Sequence, residues 1–249
     1  MRTLVVALIC ALSGGVAFAK DVNECITGAG AVVPDFGLPH VAQAIAKQKL
    51  NITVIGSASS ELNGAAGNSI AYPIRLEAAL RLLMPAVAVE VSTRARPRET
   101  AAEMTINLKR ILSETKPALL VWQTGTADAV RGVDPEDFRA ALDQGVDRSQ
   151  AAAVDMVFMN MQYSPRTEAM LAVWAYADAM RMIALQRGVV LFDRFSIMKR
   201  WNENGVFDLY GATQNTDIAE RVHDCLGRLL AKVVVAGARL TMPAKKDIP

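Results

Sequence analysis

The sequence has few cysteines, few histidines and no excess of charge of either sign. Three cysteines in 249 residues are too few for a small fold held together by disulfides. The formal net charge is only +2, and no basic tract of the kind that binds nucleic acid is present. Hydrophobic residues make up 52% of the chain, which excludes intrinsic disorder. These proportions are typical of one globular domain of ordinary size.

Long apolar runs are also missing, apart from a short one near the N-terminus. Leu4–Leu12 is apolar but too short to cross a bilayer core of ~30 Å as a helix. Arg2 precedes this run, and Ala17-Phe18-Ala19 matches a small-x-small cleavage site. We therefore expect a signal peptide over residues 1–19 and a single domain over residues 20–249. The mature protein would be periplasmic or secreted, with no transmembrane anchor after cleavage.

Cleavage would change the inventory of thiols. Cys10 would leave with the signal peptide, and Cys25 and Cys225 would remain. In an oxidising compartment two such thiols tend to pair, so we predict a disulfide between them, with two unpaired buried thiols as the alternative. Two cysteines with the distant His40 and His223 do not make a metal site, and we expect no metal and no cofactor.

Short β-branched runs alternate with longer helical patterns along the chain. Nearly continuous apolar runs of this kind predict parallel strands covered on both faces. Their alternation with helices predicts right-handed crossovers and a three-layer α/β/α sandwich around a parallel sheet of about five strands. The predicted strands are Ile52–Gly56, Val87–Ser92, Ala118–Thr124, Val154–Asn160 and Val189–Asp193.

The helical patterns carry recognisable start signals. A proline in the first turn and a Ser/Thr/Asp-x-x-Glu capping box are both typical of helix N-termini. The predicted starts are at Tyr72-Pro73, at Thr100-x-x-Glu103, after Asp134-Pro135, near Thr167 for one helix that continues to Arg187, and near Asp217 with Asp217-x-x-Glu220 as a second capping box.

Ligands of open α/β sheets bind outside the carboxyl ends of the strands, so function is expected in the segments that follow each strand. In chain order these segments are Gly56-Ser57-Ala58-Ser59-Ser60, Pro97-Arg98-Glu99-Thr100, Gly125-Thr126-Ala127-Asp128 and Asn160-Met161-Gln162-Tyr163.

Together these segments resemble the SGNH/GDSL hydrolase superfamily, over roughly residues 50 to 235. The blocks of that superfamily are Gly-Asp/Ser-Ser, a turn with Gly-Glu-Thr, Gly-x-Asn-Asp, and a late Asp-x-x-His. Its members are esterases, lipases and carbohydrate O-acetyl esterases with a flavodoxin-like parallel sheet. The resemblance implies a nucleophilic serine that a late histidine and its carboxylate activate. It also implies an oxyanion hole made by the serine N–H, a glycine N–H and an asparagine side chain.

The residues at the corresponding reactive positions of this chain are different ones. Ala58 stands where the resemblance implies the nucleophile, Arg98 where it implies the glycine, and Ala127 where it implies the asparagine. Glu220-x-x-His223 has the spacing of the last block, with glutamate for aspartate. His223 falls within the predicted final helix, however, which favours a structural role. The scaffold is expected to persist while the reaction centre is altered.

Two functions fit this pattern. The first is an exported, non-catalytic or strongly attenuated member that acts by binding, with Ser57, Arg98, Gly125, Asp128 and Gln162 as candidate ligand-binding residues. The second is an ester or carbohydrate O-acetyl ester hydrolase, or acyltransferase.

The second function would use a displaced serine, Ser57 or Ser59, with His223 and Glu220 as its histidine and acid. It requires a serine hydroxyl within about 3 Å of the imidazole. Otherwise the serines of this segment, with Ser60, are interpreted as turn and helix-capping residues.

The expected partners follow from the same residues. The guanidinium of Arg98 is suited to a carboxylate, phosphate or sulfate group. We therefore expect a small anionic, acylated or carbohydrate ligand, or an envelope protein that docks on an outer helix, and no nucleic acid.

Overall fold

The computed structural model describes residue 25 and residues 33–62, 67–210 and 216–241. The predicted signal peptide lies outside the described residues. The strands form one parallel sheet in the order β2-β1-β3-β4-β5, and all five predicted strands are present. They are β1 (Lys49–Gly56), β2 (Ala88–Ala95), β3 (Leu119–Gln123), β4 (Asp155–Met159) and β5 (Val190–Phe192).

Helices cover both faces of this sheet and complete the predicted three-layer α/β/α sandwich. In chain order they are α1 (Pro39–Ala46), α2 (Gly67–Ile70), α3 (Tyr72–Leu83), α4 (Ala101–Thr115), α5 (Thr126–Arg131), α6 (Pro135–Ala151), α7 (Pro165–Met170), α8 (Val173–Arg187), α9 (Arg194–Glu203) and α10 (Thr216–Thr241). These helices pack in two groups. Helix α10 packs against α1 and α3, and helix α6 packs against α4 and α8.

The centre of the sheet explains why its strands are apolar throughout. Every residue of β3 and of β4 is buried, as expected for parallel strands with helices on both faces. None of the helices among the described residues is long and apolar enough to cross a membrane.

Most of the predicted helix starts are confirmed. Thr100 accepts a hydrogen bond from the N–H of Glu103, and the Glu103 carboxylate accepts one from the N–H of Thr100, which is the predicted capping box at α4. Asp134 caps α6 in a similar way by accepting from the N–H of Glu136.

One predicted helix is wrong. The single helix expected from Thr167 to Arg187 is two helices, because Leu171 adopts an extended backbone and the chain turns before Val173. This turn allows the side chain of Val173 to be fully buried, a tertiary contact that helical periodicity does not contain. The last helix begins at Thr216, within one residue of the predicted start near Asp217, and Asp217 lies in its first turn.

A disulfide joins Cys25 to Cys225, as the sequence predicted. The two Cα atoms are 5.2 Å apart, and the bond closes a loop with a sequence separation of 200 residues. Because Cys225 lies on α10 two residues after His223, the bond fixes Cys25 beside the helix that carries this histidine.

Candidate functional site

A cavity of about 460 Å³ lies where the chain leaves the carboxyl ends of the strands. One wall is the short 3-10 turn Ala58–Ser60 that follows β1, and another is α10. The sheet order changes direction between β1 and β3, the place where open α/β sheets bind ligands. The cavity is lined by Ser57, Ala58, Ser59, Leu62, Thr126, Gln162, Tyr163, Ser164, Thr167, Met198, Leu209, Ile218, Ala219, Val222 and His223.

The serine hydroxyls of this turn are directed to one buried amide. The Oε1 atom of Gln123, at the end of β3, accepts the N–H of Ser57 at 2.9 Å. It also accepts the hydroxyls of Ser59 and Ser60 at 3.2 and 3.1 Å, and that of Ser57 at 3.4 Å. The turn is as expected, but the capping role is not, because the side chain of Ser57 makes no cap hydrogen bond. The hydroxyl groups hold β1 against β3 instead.

Glycine at position 56 permits this close approach. A Cβ atom there would lie 2.8 Å from Oε1 of Gln123 and closer still to the hydroxyl of Ser60. Any larger residue would therefore push the turn away from the amide that holds it.

A buried arginine lies beneath the same turn. Arg194, the first residue of α9, is fully buried. Its Nη1 donates to the hydroxyl of Ser59 at 3.0 Å, and its Nε donates to the carbonyl of Asn160 at 3.0 Å. The hydroxyl of Ser59 is thus engaged on both sides, as an acceptor from Arg194 and as a donor to Gln123.

His223 belongs to the cavity wall, but the contacts of its ring are with α3. The Nδ1 atom accepts the backbone N–H of Tyr72 at 3.0 Å, and the two rings stack with centroids 6.1 Å apart. A backbone N–H can only donate, so Nδ1 carries the lone pair and the neutral ring carries its proton on Nε2. This is the opposite of the tautomer that a catalytic histidine uses, in which Nδ1–H donates to a carboxylate and Nε2 accepts from the serine.

The surroundings of His223 also disfavour its protonation. Burial lowers the pKa of His223 to about 4, and the positive charges of Arg194 and Arg75 act in the same direction. The imidazole is therefore neutral at physiological pH. Among the described residues no serine hydroxyl bonds to it, so the serine–histidine contact that the enzymatic hypothesis requires is not formed.

The predicted acid does not reach the histidine either. The carboxylate of Glu220 forms an ion pair with Arg75 of α3, at 2.6 Å between Oε1 and Nη2. The spacing of Glu220 and His223 resembles the family's last block, but their side chains bind separate partners on α3.

Of the remaining site residues predicted from the sequence, some line the cavity and others lie away from it. Ala58 and Gln162 line the cavity and are exposed, so the residue that the resemblance aligns with the nucleophile contributes only a methyl group to the cavity wall. Arg98 is exposed on the turn before α4 and lines a separate shallow depression. Its φ is +65°, in the left-handed region that glycine adopts without steric cost. Gly125 and Ala127, like Arg98, are not part of the cavity lining.

Asp128 is occupied by structural hydrogen bonds. Its Oδ1 accepts the N–H of Ala101, and its Oδ2 accepts the N–H of Gly125 and the hydroxyl of Thr124. Burial raises the pKa of this carboxyl group, against the opposing effect of these hydrogen bonds. Asp128 thus joins the starts of α4 and α5 and does not reach the cavity.

Sequence reasoning missed Gln123, Tyr72 and Arg194. Gln123 is the last residue of β3, and Arg194 follows β5 by two residues. Both therefore lie at the carboxyl ends of strands, where a ligand site is expected. The chemistry of each depends on contacts between distant segments, which neither spacing nor composition contains. Tyr72 acts partly through its backbone, which leaves no signal in the sequence.

The fold and the position of this cavity define an SGNH hydrolase-like protein. The sequence profile of the non-GDSL lipase-like family matches residues 24–240, so the chain belongs to that family. No curated protein sequence matches the chain.

Solved structures show the same fold at low identity. TesA has a TM-score of 0.56 and 22% identity, covering 75% of this chain and 97% of its own. LAE5, an α/β hydrolase enzyme from the metagenome of Lake Arreo, Spain, has a TM-score of 0.57 and 21% identity. The match covers 77% of this chain and 93% of LAE5. A catalytic mutant of Axe2, an acetylxylan esterase from Geobacillus stearothermophilus, has a TM-score of 0.54 and 16% identity. The match covers 77% of this chain and 92% of Axe2. At these identities the likeness concerns the fold.

Proposed function

We propose that this protein is an exported member of its family that binds a ligand in the cavity and does not hydrolyse esters. The observation that carries the proposal is the hydrogen bond from the Tyr72 N–H to Nδ1 of His223. This bond places the imidazole proton on the nitrogen that would have to accept a proton from a nucleophile. Ala58 supplies no hydroxyl, and Glu220 binds Arg75 instead of the histidine.

The energetic argument against ester hydrolysis is that several catalytic groups are missing at the same time. Removing one oxyanion donor typically costs a factor of roughly 10²–10³ in rate. This chain lacks the expected nucleophile, the glycine and the asparagine, and its histidine is in the wrong tautomer for a general base. An enzyme that tolerated all of these at once would retain little of its transition-state stabilisation.

The test uses purified protein comprising residues 20–249, short-chain aryl esters and a fluorophosphonate probe. We expect no turnover that depends on Ser57, Ser59 or Ser60, and no labelled serine. Turnover or labelling that is lost in Ser57→Ala or Ser59→Ala would contradict the proposal.

One observation favours the alternative of a displaced catalytic serine. Ser57, Ser59 and His223 line the same cavity, so a modest rearrangement would bring a hydroxyl to the imidazole. Acetylated carbohydrates are the first substrates to try, because Axe2 is an acetylxylan esterase. Under this alternative His223→Gln abolishes deacetylation and the matched His40→Gln does not. Equal rates for the two variants would contradict it.

Export rests on the N-terminal pattern and is supported by the disulfide, since such bonds persist in oxidising compartments. Expression of the full chain in a bacterium, followed by N-terminal sequencing of the envelope and medium fractions, should yield a protein that begins at Lys20. Recovery of the protein in the cytoplasm with residues 1–19 still attached would contradict this.

A further inference from the structure

The end of the molecule opposite the cavity carries exposed leucines. The five strands are parallel, so their amino ends lie together at the edge of the sheet away from the cavity. Helix α3 runs back to this edge and ends at Leu83, shortly before β2 begins at Ala88. Leu82 is 84% exposed and Leu83 is 50% exposed. Two large apolar side chains therefore project into solvent from the last turn of α3.

The segment that carries these leucines has a fixed backbone. The turn over residues 84–87 that follows them is apolar throughout and partly exposed. A hydrogen bond from the N–H of Val87 to the carbonyl of Met84 closes this turn. The guanidinium of Arg81 donates to the carbonyl of Val89, which ties the end of α3 to β2. The apolar projection is thus part of the folded domain and not a loose loop.

A second helix ends on the same side of the molecule. Tyr72 contacts His223, and four residues later along both helices Leu76 lies against Gly227, so α3 and α10 run in the same direction. Leu240, in the last turn of α10, is 60% exposed. The exposed leucines at this end therefore come from two adjacent helices.

Basic residues lie around these leucines. Lys47 and Lys49 are next to the start of β1, which pairs with the start of β2 in the register Lys49 to Ala88. Lys116 caps the end of α4 just before β3, the next strand of the sheet, and Arg239 lies in the last turn of α10. All four cations are exposed, and none of them forms an ion pair within the described part of the chain.

Acidic residues reduce this positive charge without cancelling it. The segment before α1 contributes Asp35 and β2 contributes Glu90, and both are exposed. Glu114, two residues before Lys116, is already paired with Arg110. An excess of positive charge therefore remains beside the apolar projection. We call the three leucines and the four cations together the basal face.

This combination is the one that peripheral membrane binding requires. Apolar side chains that enter the headgroup region supply one part of the affinity, and basic side chains attracted to anionic lipids supply the other. At 84% exposure Leu82 projects from the surface and does not line a groove. A projection of this kind fits a fluid lipid layer better than the surface of a folded protein.

We propose that the basal face docks on a bilayer that contains anionic phospholipids. The leucines enter the headgroup region, and the lysines and Arg239 bind lipid phosphates. The cavity lies at the opposite edge of the sheet, so it stays open to water when the protein is docked. The inference concerns a different surface from the cavity and does not depend on the function proposed for it.

Co-sedimentation with sucrose-loaded vesicles tests the proposal. The protein comprises residues 20–249, because the apolar residues 4–12 would themselves bind a bilayer. We expect vesicles of equal parts phosphatidylcholine and phosphatidylglycerol to bind it at least about tenfold more tightly than vesicles of phosphatidylcholine alone. Added salt should weaken this binding, since it screens exposed charges. Absence of binding to the mixed vesicles, or equal binding to both kinds, would overturn the proposal.

The apolar part of the face is tested by the double variant Leu82→Gln with Leu83→Gln. Both side chains are exposed, so the variant should fold normally and bind the mixed vesicles at least about tenfold more weakly than the wild type. The matched control is Ile106→Gln with Val130→Gln, which removes two exposed apolar side chains from α4 and α5 and should bind as the wild type does. Equal binding of the two double variants would contradict the proposal.

The basic part is tested by Lys47→Gln with Lys49→Gln. Loss of two cations should weaken binding to the mixed vesicles about tenfold and reduce its dependence on salt. The control Arg94→Gln with Arg96→Gln removes the same charge at the other end of β2, where both arginines are exposed, and should change binding less than about twofold. An equal loss in both variants would show that net charge and not the basal face is responsible, and would overturn the proposal.

Sedimentation velocity without vesicles tests a different occupant of the same face. We expect the wild type to stay monomeric at the concentrations used for vesicle binding. Dimers that form in the wild type and are lost in Leu82→Gln with Leu83→Gln would make the basal face an interface between two copies of the chain, and this result would overturn the proposal.

Discussion

At position 223, one backbone hydrogen bond decides the chemistry open to an imidazole. The Tyr72 N–H donates to Nδ1, and burial together with the positive charges of Arg194 and Arg75 keeps the imidazole neutral by lowering its pKa. The histidine can then donate a hydrogen bond from Nε2 but cannot accept a proton there. The sequence shows the alanine at position 58 directly. It does not show which nitrogen of His223 carries the proton, because that depends on a hydrogen bond with Tyr72, 151 residues away in the chain.

Restoring the missing serine should not restore hydrolysis. In Ala58→Ser the new hydroxyl would still face a histidine with its proton on Nε2, so we expect the variant to remain as inactive as the wild type on aryl esters. Fluorophosphonate labelling followed by mass spectrometry is the measurement. Rapid labelling of position 58 that is lost in the additional variant His223→Gln would show that the histidine can act as a base.

The pKa of His223 also predicts how stability depends on pH. Between pH 6.5 and about 4 the unfolded chain binds a proton at this residue and the folded protein does not, so stability falls as pH decreases through this window. From pH 7 to pH 5 the loss should be roughly 2 kcal/mol.

Urea unfolding at the two pH values measures this loss. The variant His223→Gln should lack it, and the control His40→Gln should retain it. An identical pH dependence of wild type and His223→Gln would contradict the buried, neutral state of the ring.

At the level of helices and strands, the sequence predicts an element correctly where interactions between neighbouring residues determine it. The five strands, the proline start of α3 and the capping box of α4 all follow from residues adjacent in sequence. The division between α7 and α8 does not, because it coincides with the full burial of Val173, which depends on the fold of the whole domain. The same distinction applies to the site: the strand ends identified its location, but Gln123 and Arg194 act through partners that only the folded chain brings near.

The capping box of α4 gives a prediction at this scale. Thr100→Ala removes the acceptor for the N–H of Glu103 and should lower the free energy of unfolding by about 1 kcal/mol. Ser113→Ala, an exposed position in the same helix, is the control and should cause no loss. Equal stabilities of Thr100→Ala and Ser113→Ala in urea unfolding would show that the cap contributes nothing.

For the whole molecule, the disulfide is the longest-range constraint on the chain. It links residue 25 to α10 across a separation of 200 residues, so in the chain-entropy model it contributes up to about 5 kcal/mol by restricting the unfolded state. Dithiothreitol should therefore lower the urea midpoint of the wild type markedly. Cys25→Ser should begin at the lower midpoint and show no further response, and a wild type that does not respond would contradict the pairing.

The account of a binding protein on a hydrolase scaffold depends most on the protonation of His223. Long-range ¹H–¹⁵N NMR correlation of the imidazole nitrogens tests it directly, and His40→Gln assigns the signals because the chain has only two histidines. We predict the neutral Nε2–H tautomer from pH 8 to pH 5, with protonation only near the pKa of about 4. A proton on Nδ1, or titration of the ring near its ordinary pKa of about 6.5, would contradict the account and return the histidine to the role of a catalytic base.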